Sequence, residues 1–318
     1  AQPARAAARS GCSGRGGLGA GGVGRNTLTA RSDRFLRDDG RMKIAAVQMV
    51  STPRVDENLA AARRLVAVAA ADGATLVALP EYFCLMGNDD RDKLAHAEAP
   101  GDGPIQRALA DCARAHRVWL IAGTLPIRTA TGERALNASC VFAPDGRHHA
   151  RYDKIHLFRY DNGREQYDEG RVLQAGREPV AAVLDTAGGP LRVGMSVCYD
   201  LRFPELYRAL MEPPCDLLVV PSAFTHTTGR AHWEVLLRAR AIENQCYVMA
   251  PAQGGRHENG RRTWGHTMIV DPWGEVLACV TEGEGVAMAE LDRDHLAAVR
   301  AQLPALSHRA VTCRLPAA

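Results

Sequence analysis

RVGMSVCYDLRFPELYR, Arg192 to Arg208, is the stretch on which the reading of this chain rests. Leu191 to Val197 is a short apolar and β-branched run with strand character, and Pro204-Glu205 opens a helical pattern continued by Leu206, Ala209 and Leu210. Cys198 therefore falls on a strand-to-helix turn. Such a turn lifts a side chain off its sheet and directs the next backbone N–H, that of Tyr199, at whatever the sulfur attacks. Free cysteine is also a common inert core residue. A role for Cys198 therefore depends on what the rest of the chain brings to it.

Before and after this stretch, apolar β-runs alternate with helical periods. Ile44 to Met49 reads as a strand, Asp56 to Asp72 as a helix with Leu59, Ala62, Leu65, Val66 and Ala69 on one face, and Thr75 to Leu79 as a second strand. A helix near Ile105 to His116 and a strand Val118 to Thr124 follow, then a hairpin over 135–154 that turns at Asp145-Gly146. The later half repeats the theme with a strand Asp216 to Val220, a helix His232 to Asn244, a strand Gln245 to Ala250, and a hairpin over 267–280 turning at Pro272–Gly274. This is an α/β pattern with a mostly buried sheet and chemistry expected where strands end. The two hairpins, one per half, resemble each other and hint at a layered fold with internal pseudo-symmetry.

Composition narrows the possibilities. A formal net charge of +3 over 318 residues, with acids and bases interleaved, argues against a nucleic-acid partner. No apolar run approaches the roughly 18 residues of a membrane-spanning helix, so no membrane association is expected. Nine scattered cysteines, at 12, 84, 112, 140, 198, 215, 246, 279 and 313, never form C-x-x-C and suggest neither a disulfide framework nor a zinc site. They fit a reducing, cytoplasmic compartment. His148-His149 and the isolated histidines lack metal-ligand spacing, and no metal is expected.

Residues 1–41 are Ala/Gly/Arg-rich, carry no acid before Asp33 and show no hydrophobic period, so disorder is expected there. Such a leader resembles an organellar transit peptide, which would relocate the protein. The same composition arises when a start codon is placed too early in a GC-rich genome. Met42 opens a strand at once and makes a natural start, so a non-native extension is the reading we expect.

Two charged residues sit at apparent strand ends, and a third lies in a loop. The strand Thr75 to Leu79 runs into Pro80-Glu81, and its apolar flanks, Leu79 and Tyr82 to Leu85, provide an environment suited to a general base rather than a solvated loop charge. Lys154 closes another strand in RYDKIHLF; alone it would read as a surface lysine, but beside a thiolate it would stabilise both the sulfur and a developing oxyanion. Glu169 lies in the loop REQYDEG, close to Glu165 and Asp168, where a solvated charge is the ordinary reading.

In order and spacing, LPEYF, YDKIHLF and GMSVCYDLRFPE resemble the three signature blocks of the carbon–nitrogen hydrolase (nitrilase) superfamily, whose members use a Glu-Lys-Cys triad. The resemblance covers about Met42 to Arg309. It implies Glu81 as general base, Lys154 as the cation at the oxyanion, Cys198 as nucleophile of a thioester mechanism, and Glu169 as a supporting glutamate. It also implies an αββα sandwich forming a single domain over 42–312, assembly through the sheets into a four-layered homodimer, a small-molecule amide substrate, and no metal or organic cofactor. PSAF (221–224), the run 229–248, AQGGRH (252–257) and GHTMIVDPWGEV (265–276) are most similar to the branch of deaminated-glutathione amidases, with ω-amidases next and nitrilases or carbamoylases further off. A non-catalytic scaffold is the remote alternative. The loop RHENGRRTW, 256–264, departs in composition from that branch. For a carboxylate-bearing substrate, Arg202, Arg256 and His257 are the candidate receptors, with Tyr82, Phe224 and Thr225 as pocket walls. Arg202 has an equal structural reading, pairing with Glu205 to hold the turn.

Overall fold

Ile44 to Val47 are all fully buried, and a run buried on both faces needs strands on both sides and cover above and below. They belong to β1 (Arg41–Gln48) of a computed structural model that describes residues 41–311. The expectation for residues 1–41 lies outside the described residues, except that Arg41 already opens β1.

The first half continues with α1 (Val55–Ala71), β2 (Leu76–Ala78), α2 (Asp92–Ala95), α3 (Pro104–His116) and β3 (Trp119–Ile121). Next come β4 (Leu125–Arg128), β5 (Ala135–Phe142) and β6 (His148–Asp153), a small ribbon of β7 (Arg159–Asp161) and β8 (Gln166–Asp168), and β9 (Leu173–Gln174). The second half holds β10 (Val180–Thr186), β11 (Gly189–Met195), a 3-10 turn Cys198–Arg202, α4 (Pro204–Leu210), β12 (Leu217–Val219) and α5 (His226–Asn244). It closes with β13 (Tyr247–Ala250), β14 (Thr267–Val270), β15 (Val276–Val280), β16 (Gly285–Asp292) and α6 (Arg293–Gln302).

Two sheets result. The first has eight strands in the order β16-β1-β2-β3-β5-β4, with β6 and β9 also on β5; the second has six, β10 through β15 in sequence. In each, three parallel strands meet an antiparallel hairpin: β1, β2 and β3 meet β5-β6, and β11, β12 and β13 meet β14-β15. The resemblance between the two hairpins thus reflects two half-folds of one design.

The period-2 alternation of β1 sorts the layers. Ala45 and Val47 join a core with Leu65, Val66 and Leu109 of α1 and α3, while Ile44 and Ala46 join a larger core with β11 to β14 and with Trp233 and Leu237 of α5. Helices therefore cover the outer faces and the sheets meet inside, an αββα sandwich in a single domain.

Two elements differ from the sequence reading. The helix expected from His232 starts at His226, where the Thr225 hydroxyl accepts from Thr228 N. Gly229 in its first turn is not a break: a Cβ there would fall 2.3 Å from the Trp264 side chain. The strand expected over Val118 to Thr124 is cut after Ile121, because Gly123 takes φ +54° and packs on the Pro80 carbonyl.

Candidate active site

Three strand ends converge. Glu81 follows β2, Lys154 follows β6 directly, and Cys198 follows β11 on the 3-10 turn, while Glu169 opens a second 3-10 turn after β8. Lys154 Nζ lies 2.8 Å from Glu81 Oε1 and 2.8 Å from Glu169 Oε2, with its side chain wholly buried. Burial opposes the ammonium charge, but the two carboxylates outweigh it and hold Lys154 well above the usual lysine range. Burial likewise opposes ionisation of Glu169, and Lys154 outweighs it, leaving that carboxyl below its ordinary value.

Each carboxylate is fixed by further donors. Glu81 accepts from Asn137 Nδ2 at 3.0 Å and from the backbone N–H of Ala223 at 2.9 Å. Glu169 accepts from the Tyr82 hydroxyl at 2.7 Å and from Phe158 N at 2.7 Å. A buried charge without such partners would be costly to keep ionised.

Cys198 takes φ +51° and Tyr82 takes φ +56°, a left-handed backbone that costs non-glycine residues on the order of 1–3 kcal/mol. The strain at Cys198 is held by Asp200. Its carboxylate accepts from Val197 N at 2.8 Å, the Tyr152 hydroxyl at 2.7 Å and His156 N at 3.0 Å, and lies 2.7 Å from His156 Nδ1. The turn that carries Cys198 is thereby tied to the segment that carries Lys154. Burial, followed by the adjacent Glu81 charge, pushes the Cys198 thiol well above the usual range, so the sulfur rests protonated. Tyr199 stands in the first turn of the 3-10 helix, where leading N–H groups have no partner within the helix.

A narrow cavity with about 20 Å³ of free space opens on Cys198. Of the residues read from sequence, Glu81, Glu169, Cys198 and Tyr199 line it, and Tyr82, Arg202, Phe224 and Thr225 form further walls. Arg202 does not pair with Glu205; its guanidinium contacts His232 Nδ1 at 3.2 Å and lies over the Tyr199 and Phe224 rings. Arg256 and His257, expected as carboxylate receptors, do not line the cavity. His257 is buried with Nδ1 on Ser51 O and Nε2 on Thr263 Oγ1, and burial lowers its pKa; Arg256 is exposed and bridges to Arg262 through the backbone.

Sequence reasoning missed Asn137, Asp200, Thr228 and Arg261. Asn137 sits among apolar residues of β5, and such a buried polar position was a signal. Arg261 belongs to the compositionally unusual loop. Among the described residues no cluster of three or more His, Cys, Asp or Glu could hold a metal ion, and the seven described cysteines are free thiols. No helix among them is long and apolar enough to cross a membrane.

The family model described as carbon-nitrogen hydrolase matches residues 43–301. The chain belongs to the carbon–nitrogen hydrolase family. It is 45% identical over 269 residues to a deaminated glutathione amidase of Synechocystis, covering 83% of this chain and 97% of that protein. It is 39% identical over 270 residues to the human deaminated glutathione amidase, covering 84% of this chain and 81% of that one. Among solved structures, the Caenorhabditis elegans NitFhit protein superposes with a TM-score of 0.78 at 38% identity, over 85% of this chain and 65% of that longer one. This carbon–nitrogen hydrolase is thus a hydrolase of C–N bonds other than peptide bonds.

Proposed function

We propose that the protein is an amidase for a small carboxylate-bearing amide, deaminated glutathione first, acting through a thioester on Cys198. The observation that carries this reading is the buried Lys154, held between Glu81 and Glu169 beside a protonated Cys198. Glu81 takes the thiol proton and the sulfur attacks the amide carbon. Lys154 and the Tyr199 N–H stabilise the oxyanion. As the tetrahedral adduct collapses, the C–N bond breaks and Glu81 returns the proton to the leaving amine. Water, deprotonated by Glu81, then hydrolyses the thioester, releasing the carboxylic acid and restoring the thiol.

Deaminated glutathione is a 2-oxo acid joined by an amide to cysteinylglycine, so its acyl part carries a carboxylate. Arg202, free of ion pairing with Glu205 and lining the cavity, supports recognition of that group. The relatives named deaminated glutathione amidase support the substrate choice. α-Ketoglutaramate, which shares the acyl group but releases ammonia, is the second reading, and a nitrilase or carbamoylase activity stands behind both. A homodimer or higher homo-oligomer and a cytoplasmic location belong to the same reading; the free thiols support a reducing compartment.

Side-by-side assay of the purified protein on deaminated glutathione and α-ketoglutaramate tests this. The expected result is a higher kcat/KM on deaminated glutathione. Preference for the ammonia amide moves the assignment to ω-amidase, and activity on neither overturns it.

A further inference from the structure

The narrow cavity at Cys198 does not end the site. A groove with about 250 Å³ of free space adjoins it, and the two share Tyr82 and Arg261 as common walls. Its floor is the buried Tyr82, Leu85 and Met86, and its far side is formed by Tyr167 and Asn259. The acids Asp89 and Asp90 stand on the exposed rim, with Asp90 tied to Lys93 Nζ at 2.8 Å.

Arg261 is the feature that gives the groove a chemistry. Its guanidinium lies over the Tyr167 ring at 5.1 Å, and its charge reaches Asp90 on the rim, a carboxylate whose direct ion pair is with Lys93. A guanidinium at the junction of cavity and groove, with no carboxylate among the described residues in direct salt-bridge contact, is available to an anionic group on a ligand. The direction of the reaction decides which part of the substrate passes there. Glu81 protonates the departing amine, so that amine lies on the Glu81 side of the scissile bond. The chain runs from Glu81 straight into Tyr82, the shared wall. Arg202, by contrast, follows Cys198 in sequence and belongs with the acyl part.

We propose that this groove is the leaving-group subsite, taking an amine with a short apolar stem and a terminal carboxylate, and that Arg261 receives that carboxylate. The proposal rests on the amidase reading above and deepens it: Arg202 and Arg261 sort the two carboxylates of such a substrate to opposite sides of the bond that breaks. The apolar floor of Leu85 and Met86 suits the stem, and the about 20 Å³ at Cys198 against about 250 Å³ in the groove matches a compact acyl group with a larger amine.

Calorimetric titration of the full-length protein with cysteinylglycine and with cysteinylglycine amide tests the groove without any turnover. The acid is expected to bind at least about tenfold tighter than the amide. That preference disappears in Arg261→Gln and is partly kept in Arg261→Lys, which a merely structural role would not produce. Equal binding of acid and amide, or binding of neither, overturns the subsite. In turnover, Arg261→Gln is expected to lower the ratio of kcat/KM for deaminated glutathione over α-ketoglutaramate by about tenfold, chiefly through KM. An unchanged ratio overturns it. Failure of both substrates with the unaltered protein strikes the amidase reading instead, and the titration still judges the groove.

Discussion

At Cys198 a buried sulfur faces a carboxylate that makes its ionisation harder and a lysine that makes it easier, and burial together with Glu81 prevails at rest. The thiolate therefore has to be formed by proton transfer to Glu81 as the attack proceeds. Cys198→Ala is expected to lower kcat by more than about a thousandfold and to abolish the acyl adduct seen by mass spectrometry of the substrate-treated protein; turnover above that level would remove Cys198 as nucleophile. Glu169 makes a separate prediction about stability. Its folded pKa lies below the ordinary 4.5, so it binds fewer protons folded than unfolded in the acid range, and its stabilising effect is complete above 4.5 and lost as pH falls through the folded value. The Lys154 ammonium, raised above the ordinary 10.5, keeps its part of the interaction up to at least that pH. In urea titrations the stability gap between the unaltered protein and Glu169→Gln should be level between these limits and narrow in acid. A gap that widens in acid would contradict the ion pair.

The elements carry the site by where they stop, and one glycine sets a stop. Gly123 separates β3 from β4 at φ +54°, and a Cβ on it would meet the Pro80 carbonyl oxygen at 2.0 Å, one residue before Glu81. Gly123→Ala should displace the end of β2 and lower kcat/KM by up to about a hundredfold. Gly132→Ala shares a left-handed φ of +73° but meets nothing within 4 Å, so it isolates the backbone cost and should keep its activity. Equal activity in the two variants would detach Glu81 from Gly123. This also marks how far the sequence was legible. Helix α1 and strands β1, β2 and β11 could be read because apolar period and strand length agree there. The cut at Gly123 and the early start of α5 could not, since both depend on a distant partner, Pro80 or Trp264, that local pattern does not contain. The same holds in the site. The Glu-Lys-Cys set was visible as motifs at strand ends, whereas Asn137, Asp200 and Arg261 act through neighbours that only the fold supplies.

At the scale of the molecule, the placement of apolar surface bears on assembly. The resemblance implies a four-layered dimer formed through the sheets, yet α1 and α3 cover the outer face of one sheet and α5 that of the other. Among the large apolar side chains left exposed in the second half, besides Val183 on β10 and Leu277 on β15, are Val235 and Ile242, one heptad apart on α5, and Trp273 at the β14-β15 turn. They form one surface: Arg238 Nε donates to Gly274 O at 2.8 Å, and Gly274 packs on the Ile242 side chain. Isolated exposed apolar residues are ordinary, but a patch joining a helix face to a hairpin tip is the kind of surface that a second copy covers. The homodimer of the proposed function is therefore expected to pair through this helical face, with the outer layer of one αββα unit against that of its partner. Light scattering is expected to give twice the mass of one chain for the unaltered protein. Val235→Glu combined with Ile242→Glu should give the single-chain mass, because two buried carboxylates per protomer cannot be desolvated without partners. Both positions are exposed, so the folded monomer should retain its circular dichroism. A single-chain mass for the unaltered protein would remove the dimer, and a variant that still pairs would move the interface elsewhere.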